Sequence, residues 1–123
     1  MRRIRWMLLV LLLTAAGCGP RDETVPAANP KQAAHQLDQA FAGAPDSFRK
    51  AAADASSALQ SGDLGRAVES LGVLRASEGV SVDQGLAVHH SMVLLESRLL
   101  ERIESGDAEA QKAYALLKQL KQK

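Results

Sequence analysis

The chain has 123 residues, a length typical of one domain, and its 15 basic and 14 acidic residues nearly cancel. This balance excludes the strongly basic surface on which nucleic-acid binding depends. Aromatic residues make up 3 % of the chain and there is one cysteine, so the core has to be built from Ala, Leu and Val without an internal disulfide.

The first seventeen residues have the layout of an export signal. Arg2, Arg3 and Arg5 precede an unbroken apolar run from Trp6 to Leu13, and small residues follow. This order is that of a secretory signal peptide, and the run is well short of the ~20 residues that a permanent membrane-spanning helix needs. We expect residues 1–17 to be removed, which leaves a mature chain with twelve basic and fourteen acidic residues.

The only cysteine follows this segment directly. The tetrapeptide Ala15-Ala16-Gly17-Cys18 resembles the lipobox of bacterial lipoproteins, with Ala15 where Leu is usual. The resemblance implies that Cys18 is acylated and that the chain is cut before it. An incidental cysteine behind an ordinary signal peptide is the alternative, but its unpaired thiol would be open to oxidation after export.

The resemblance also implies a location. Gly19, rather than aspartate, follows the cysteine. This implies the periplasmic face of the outer membrane in a two-membrane host, and the outer face of the membrane in a one-membrane host. Two or three acyl chains would anchor the protein stably, because each buried CH₂ contributes about 0.8 kcal/mol.

Residues 18–29 form the predicted connection between the anchor and the folded domain. This stretch contains Pro20, Pro26 and Gly19 among polar residues, and it has no apolar periodicity. Such a composition is typical of a flexible tether. We therefore divide the chain into a signal peptide at 1–17, an acylated cysteine and tether at 18–29, and a helical domain at 30–123.

Apolar residues at helical spacing, separated by capping signals, predict five helices in the domain. No stretch shows the alternation typical of a strand. The sequence therefore predicts an all-α fold, a small single domain of about five helices packed as antiparallel hairpins. The predicted starts and stops are Asn29-Pro30 and Gly43, Pro45-Asp46 and Gly62, Asp63 and Ser77-Gly79, Ser81 and Ser105, and Asp107 and the end of the chain.

The fourth predicted helix is the longest and differs from the others in its apolar pattern. Its apolar residues are spread more widely than one stripe, which predicts the most buried helix, in contact with neighbours on two sides. These residues are Leu86, Val88, Met92, Val93, Leu95, Leu99, Leu100 and Ile103.

The turn between the second and third helices has a weak family resemblance. The segment 58–67 is similar to the inter-helix turn of a tetratricopeptide hairpin, and Ala55 and Ala67 stand where that family places small residues. However, Ala51 and Asp54 depart from its pattern, and the two Ser-Gly-Asp turns are 44 residues apart rather than ~34. Glycine followed by aspartate also ends one helix and begins the next in unrelated proteins.

The sequence offers no constellation for catalysis. His35, His89 and His90 are the only imidazoles, and there is no serine elbow, phosphate-binding glycine loop or cysteine set for zinc. Adjacent helical residues point about 100° apart, so His89 and His90 cannot hold one ion from the same face. We expect one of them to be partly buried and hydrogen-bonded and the other to lie at the surface. The sequence thus predicts no enzyme, no catalytic residue, no metal and no cofactor.

Two functions remain as hypotheses. The first is a membrane-anchored lipoprotein that acts as a non-catalytic, helical protein-interaction module in the cell envelope, with an envelope protein as its partner and no nucleic acid. The second is a periplasmic carrier of a small apolar ligand or lipid, which predicts a sizeable apolar cavity beside the long helix. A tightly filled core would favour the interaction module, and a purely spacing role is also compatible with the sequence.

Overall fold

The computed structural model describes residues 26–122, and within this range the chain is all-α. Its five helices have the order that the sequence predicts, and no strand is present among the described residues. The helices are α1 Pro30–Ala40, α2 Asp46–Ser61, α3 Leu64–Ala76, α4 Val82–Glu104 and α5 Ala108–Gln122.

The start of α1 confirms the predicted cap, whereas its end does not. The Asn29 side chain accepts a hydrogen bond from the Gln32 backbone N–H at 2.8 Å, with Pro30 as the first helical residue. Gln32 reaches back one residue further than expected, because its Oε1 accepts from the Ala28 N–H. The helix ends at Ala40 rather than Gly43, which lacks the positive φ of a glycine cap.

The structure confirms the other predicted helix ends and helix starts. Gly62 and Gly106 have φ values of 79° and 91°, a conformation that glycine adopts without steric cost. The Asp63 carboxylate accepts from the Arg66 N–H at 3.2 Å and so begins α3. Ser81 and Gln84 form the complete capping box at the start of α4.

Helices α1 to α4 form a closed ring. Each packs against the next along the chain, and α4 returns to pack against α1, while α5 lies against α3 and α4. The Gln84 side chain donates to the Ala40 carbonyl at 3.2 Å, which joins the start of α4 to the end of α1. Helices that follow one another along the chain form antiparallel hairpins, as in an up-and-down bundle. Helices α3 and α5 run in the same direction, since Arg75 near the end of α3 contacts Lys121 near the end of α5. A repeat array is open-ended instead, so the tetratricopeptide resemblance concerns the α2–α3 hairpin alone and stays a prediction.

The core lies inside this ring, and α3 and α4 contribute half of its buried apolar residues. Leu64, Val68, Leu71 and Leu74 of α3 are buried, and α4 contacts α1, α3 and α5, one neighbour more than expected. Two residues expected in the α4 core are at the surface instead: Val93 is 49 % exposed and Leu100 is 41 % exposed. They lie on the side of α4 that none of the other four described helices covers.

A glycine positions α5 on the ring. Gly72 is buried in α3, and a Cβ built on it would lie 2.9 Å from Leu120 Cδ1 of α5. Real Cβ atoms do not approach a carbon so closely. The absence of a side chain at residue 72 therefore allows α5 to pack closely against α3.

Candidate functional site

The predicted anchor lies outside the described residues. Residues 1–17 and Cys18 are not among them, so the signal peptide and the acylation remain predictions. The end of the tether is described: Pro26 and Ala28 are exposed, while Ala27 packs against the core. Within the described range no helix has both the length and the apolar character required to cross a bilayer.

The histidine pair is divided between surface and interior, as the sequence predicts. His89 is exposed and His90 is 9 % exposed, with the two ring centroids 6.2 Å apart. Burial lowers the pKa of His90 below its usual value, and the neighbouring His89 lowers that pKa further. The expected hydrogen bond is absent at one nitrogen, because His90 Nδ1 is buried without a partner. An inaccessible imidazole of this kind is unsuited to catalysis.

The charged residues lie in exposed pairs along the helices. Lys121 Nζ contacts Glu96 Oε2 at 2.6 Å, and Arg98 Nη1 contacts Glu101 Oε2 at 3.5 Å. Exposed pairs of this kind contribute at most about 1 kcal/mol to stability. Among residues 26–122, no three His, Cys, Asp or Glu side chains come together as a possible metal site.

The most prominent surface feature is an apolar stripe along α4, which we call the outer face. Its residues recur at spacings of three, four and seven and therefore share one side of the helix. Val82 is 87 % exposed, Val93 and Leu100 are half-exposed, and the stripe extends over roughly 27 Å of helix, with Glu96 between Val93 and Leu100. The outer face consists of Val82, Leu86, His89, Val93 and Leu100.

Carboxylates border this stripe. Asp83 is three residues before Leu86, and Glu96 and Glu104 are each four residues from Leu100, so all three neighbour the outer face. Of these, Glu96 is paired with Lys121 of α5. The two arginines of this half of α4, Arg98 and Arg102, lie on other sides of the helix, where they line clefts with Leu64. The outer face is therefore apolar with an acidic border.

A cleft adjoins the outer face at the start of α4, and we call it the Arg75 cleft. It has a volume of about 210 Å³ and lies between the end of α3, the α3–α4 loop and the first turns of α4. Within the described part of the chain, Arg75 and His89 are its ionisable lining residues, and Glu78 and Asp83 do not line it. Its apolar lining comes from Leu74, Val80, Val88 and Met92, with Ser81 and Gly85 beside them.

Two further clefts lie at the opposite end of the bundle, and both contain carboxylates. One, of about 310 Å³, combines Arg98 and Arg102 with Glu101. The other, of about 220 Å³, combines Arg102 with Asp63, Asp107 and Glu109. Each of them thus places carboxylates beside its arginines, whereas no described carboxylate lines the Arg75 cleft.

Comparison with known proteins found no family model that matches this chain, and neither the curated proteins nor the solved structures gave a match. Function is therefore argued from the surface itself. Sequence reasoning missed both the outer face, whose Leu86, Val93 and Leu100 it assigned to the core, and Arg75. The seven-residue spacing of Leu86, Val93 and Leu100 could have indicated the outer face; nothing in the sequence indicated the cleft.

Proposed function

We propose that the protein is a lipid-anchored bacterial lipoprotein that serves as a non-catalytic, helical protein-interaction module of the cell envelope. Acylated Cys18 holds it at the membrane, in a two-membrane host at the periplasmic face of the outer membrane. Residues 19–29 keep the helical domain away from the lipid. The observation that carries the interaction role is the outer face of α4.

The outer face is suited to an amphipathic helix. A helix that packs lengthwise on α4 would bury Leu86, Val93 and Leu100 with residues of its own at the same spacing. Burial of apolar surface would supply the affinity at about 25 cal/mol per Å² before the costs of association. The bundle itself needs no further partner to close its core.

The acidic border selects the chemistry of that helix. Asp83 and Glu104 favour a partner with Lys or Arg beside its apolar stripe, because complementary charge increases the association rate and rejects other partners. A second copy of this chain fits less well: antiparallel pairing about Val93 would bring Asp83 near Glu104 of the other copy. We therefore propose a basic amphipathic helix of another envelope protein as the occupant.

The carrier of an apolar ligand or lipid is supported less well. Clefts of about 210 and 310 Å³ border α4, whereas ligand pockets are commonly 300–1,000 Å³ and mostly apolar. The larger of the two is lined by Arg98, Glu101 and Arg102, which are poor neighbours for a lipid chain. A core filled by Leu37, Leu71, Leu95 and Leu99 is compatible with the interaction module.

The anchor is tested by mass spectrometry of the mature protein extracted from membranes. We expect a chain that begins at Cys18 and carries two or three acyl groups. In a Cys18→Ser control we expect the acyl mass to be lost and the chain to remain uncut before residue 18. A mature wild-type protein with an unmodified Cys18 thiol would refute the lipid anchor.

Docking is tested with synthetic helical peptides that carry leucines at spacings of three and four and either lysines or glutamates beside them. NMR titration of the membrane-anchored protein in phosphatidylcholine nanodiscs should show shifts at Val82, Val93 and Leu100 with the lysine peptide. Val93→Lys should abolish these shifts, and Val73→Lys, at a 57 % exposed valine of α3, should preserve them. Equal binding of both peptides, or a footprint elsewhere, would overturn the proposal.

A further inference from the structure

We propose that the Arg75 cleft binds a carboxylate that carries a small apolar group, such as the C-terminal residue of a peptide or a free branched-chain acid. This inference stands on the cleft alone and does not depend on helix docking at the outer face. The shared chemistry is one carboxylate next to one aliphatic side chain.

The apolar half of the cleft sets the size of the ligand. Leu74, Val80, Val88 and Met92 line a space of about 210 Å³, enough for a single large aliphatic side chain and too little for a lipid. Val88 and Met92 are 4 % and 2 % exposed, so they are fixed by the core behind them. The aliphatic part of the ligand would therefore meet a preformed wall.

The polar half sets the charge of the ligand. Arg75 Nη1 lies 3.9 Å from the Met92 sulfur, and its Nη2 donates to the Lys121 carbonyl of α5 at 3.4 Å. These two contacts hold the guanidinium beside the cleft. Because a guanidinium has five N–H groups, other N–H groups of Arg75 remain available to a ligand. Among residues 26–122, no carboxylate lines the cleft to neutralise it.

His89 of α4 supplies a second donor to the cleft. Its imidazole is exposed, lines the cleft and carries at least one N–H group in either charge state. Hydrogen bonds between a guanidinium and a carboxylate are about twice as strong as neutral ones, so Arg75 is the main determinant of ligand charge. An amine or an alcohol of the same shape would find no comparable partner.

The mature chain provides a built-in probe for this site. Of the three methionines, Met1 and Met7 lie in the predicted signal peptide, whose removal would leave Met92 as the single methionine of the mature protein. Methionine labelled with ¹³C at its methyl group would thus give one signal, from a cleft residue. We would titrate the anchored protein in phosphatidylcholine nanodiscs with 4-methylpentanoate, 4-methylpentan-1-ol, Ala-Ala-Leu and Ala-Ala-Leu amide.

We expect 4-methylpentanoate or Ala-Ala-Leu to shift the Met92 signal in a saturable manner, and the alcohol and the amide to shift it far less. A response to the tripeptide identifies a peptide C-terminus as the ligand, and a response to 4-methylpentanoate alone identifies a free acid. Arg75→Gln should weaken binding by about ten-fold or more, because the charged partner is lost. Val93→Lys should leave binding intact, which separates this site from helix docking.

Three results would overturn the proposal. In the first, 4-methylpentanoate and its alcohol, or Ala-Ala-Leu and its amide, shift the Met92 signal equally, which would show that the cleft does not recognise the carboxylate. Arg75→Gln could bind as well as the wild-type protein while its melting temperature is unchanged. The Met92 signal could also stay in place with all four compounds at millimolar concentration, where so small a cleft would be expected to fill.

Discussion

The two sides of α4 have nearly the same composition and opposite surroundings. On the inner side Val88, Met92, Leu95 and Leu99 are at most 4 % exposed and fill the space between α1, α3 and α5. On the outer face Val82, Val93 and Leu100 meet solvent. Residues of one type thus contribute to folding on one side of the helix and are available for binding on the other.

The two sides of α4 differ in exposure because of how the other helices are arranged around it, and not because of their own residue types. The five helices of residues 26–122 form a ring of four with α5 against α3 and α4, so none of them covers one side of α4. A helix that is apolar on several sides needs a neighbour on each of them. We infer that the neighbour missing at the outer face is supplied by another protein.

The largest expected effect comes from the same substitution on both sides of α4. Leu95 is 0 % exposed, so Leu95→Ala should lower the free energy of unfolding by about 2–5 kcal/mol through lost burial and a residual cavity. Leu100→Ala should cost about 1 kcal/mol or less, since much of that side chain is already in water. Urea unfolding followed by circular dichroism measures both. Equal losses would contradict the assignment of the two faces.

The second largest loss of stability is expected at the contact between α3 and α5. Helix α5 also packs against α4 and covers one of its sides. Gly72→Val would introduce a branched side chain whose Cβ alone would lie 2.9 Å from Leu120 Cδ1. We expect a loss of about 1–3 kcal/mol in urea unfolding, as for other overpacked sites. Gly65→Val is the control, because nothing lies within 4 Å of a Cβ at residue 65 and the helix is the same. A loss at Gly65 as large as at Gly72 would argue against close packing of α5.

His90 lies where the inner and outer sides of α4 meet, and it makes stability depend on pH. Its pKa is lowered in the folded protein, so the unfolded chain binds the proton more readily. Stability should therefore be full above the ordinary histidine pKa of 6.5 and should fall as the pH decreases from there towards the folded pKa. His90→Leu should flatten this dependence between pH 7.5 and 5.5 in urea unfolding. An unchanged slope would show that His90 is not the group responsible.

The smallest effect on stability is expected where the effect on binding is greatest. Val93→Lys replaces a half-exposed valine with a good helix former whose chain can reach water, so the free energy of unfolding should change by no more than about 0.5 kcal/mol. Its affinity for the lysine-bordered peptide should nevertheless be lost. Thermal melts beside the NMR titration measure the two quantities. A large fall in melting temperature would mean that residue 93 belongs to the core.

The helices were predictable because their limits are encoded locally. Asn29, Ser81 and the Gly-Asp pairs at 62–63 and 106–107 form their caps from residues within a few positions, so the sequence indicates them directly. The prediction that α1 ends at Gly43 was wrong, because the helix already ends at Ala40 and its cap residue, Phe41, needs no positive φ. Local signals thus predicted the all-α fold and its five elements.

The surface could not be predicted in the same way, because it depends on which helices meet. Val93 and Val88 are both apolar residues of α4, and only the closed ring places one outside and the other inside. The role of Arg75 could not be predicted from the sequence either. Its side chain contacts Met92 and Lys121, which are 17 and 46 residues further along the chain. The role of Gly72 likewise depends on α5, far along the chain.

The most direct test of the interaction role is photo-crosslinking in living cells, with p-benzoylphenylalanine placed at residue 93 or, as a control, at the exposed Val73 of α3. We predict a discrete product from residue 93 that is absent from residue 73 and is lost with Leu100→Lys. Sequencing of that product should reveal a helix with Lys or Arg beside an apolar stripe. The same product from both positions, no product from residue 93, or a product composed only of two copies of this chain would contradict the account.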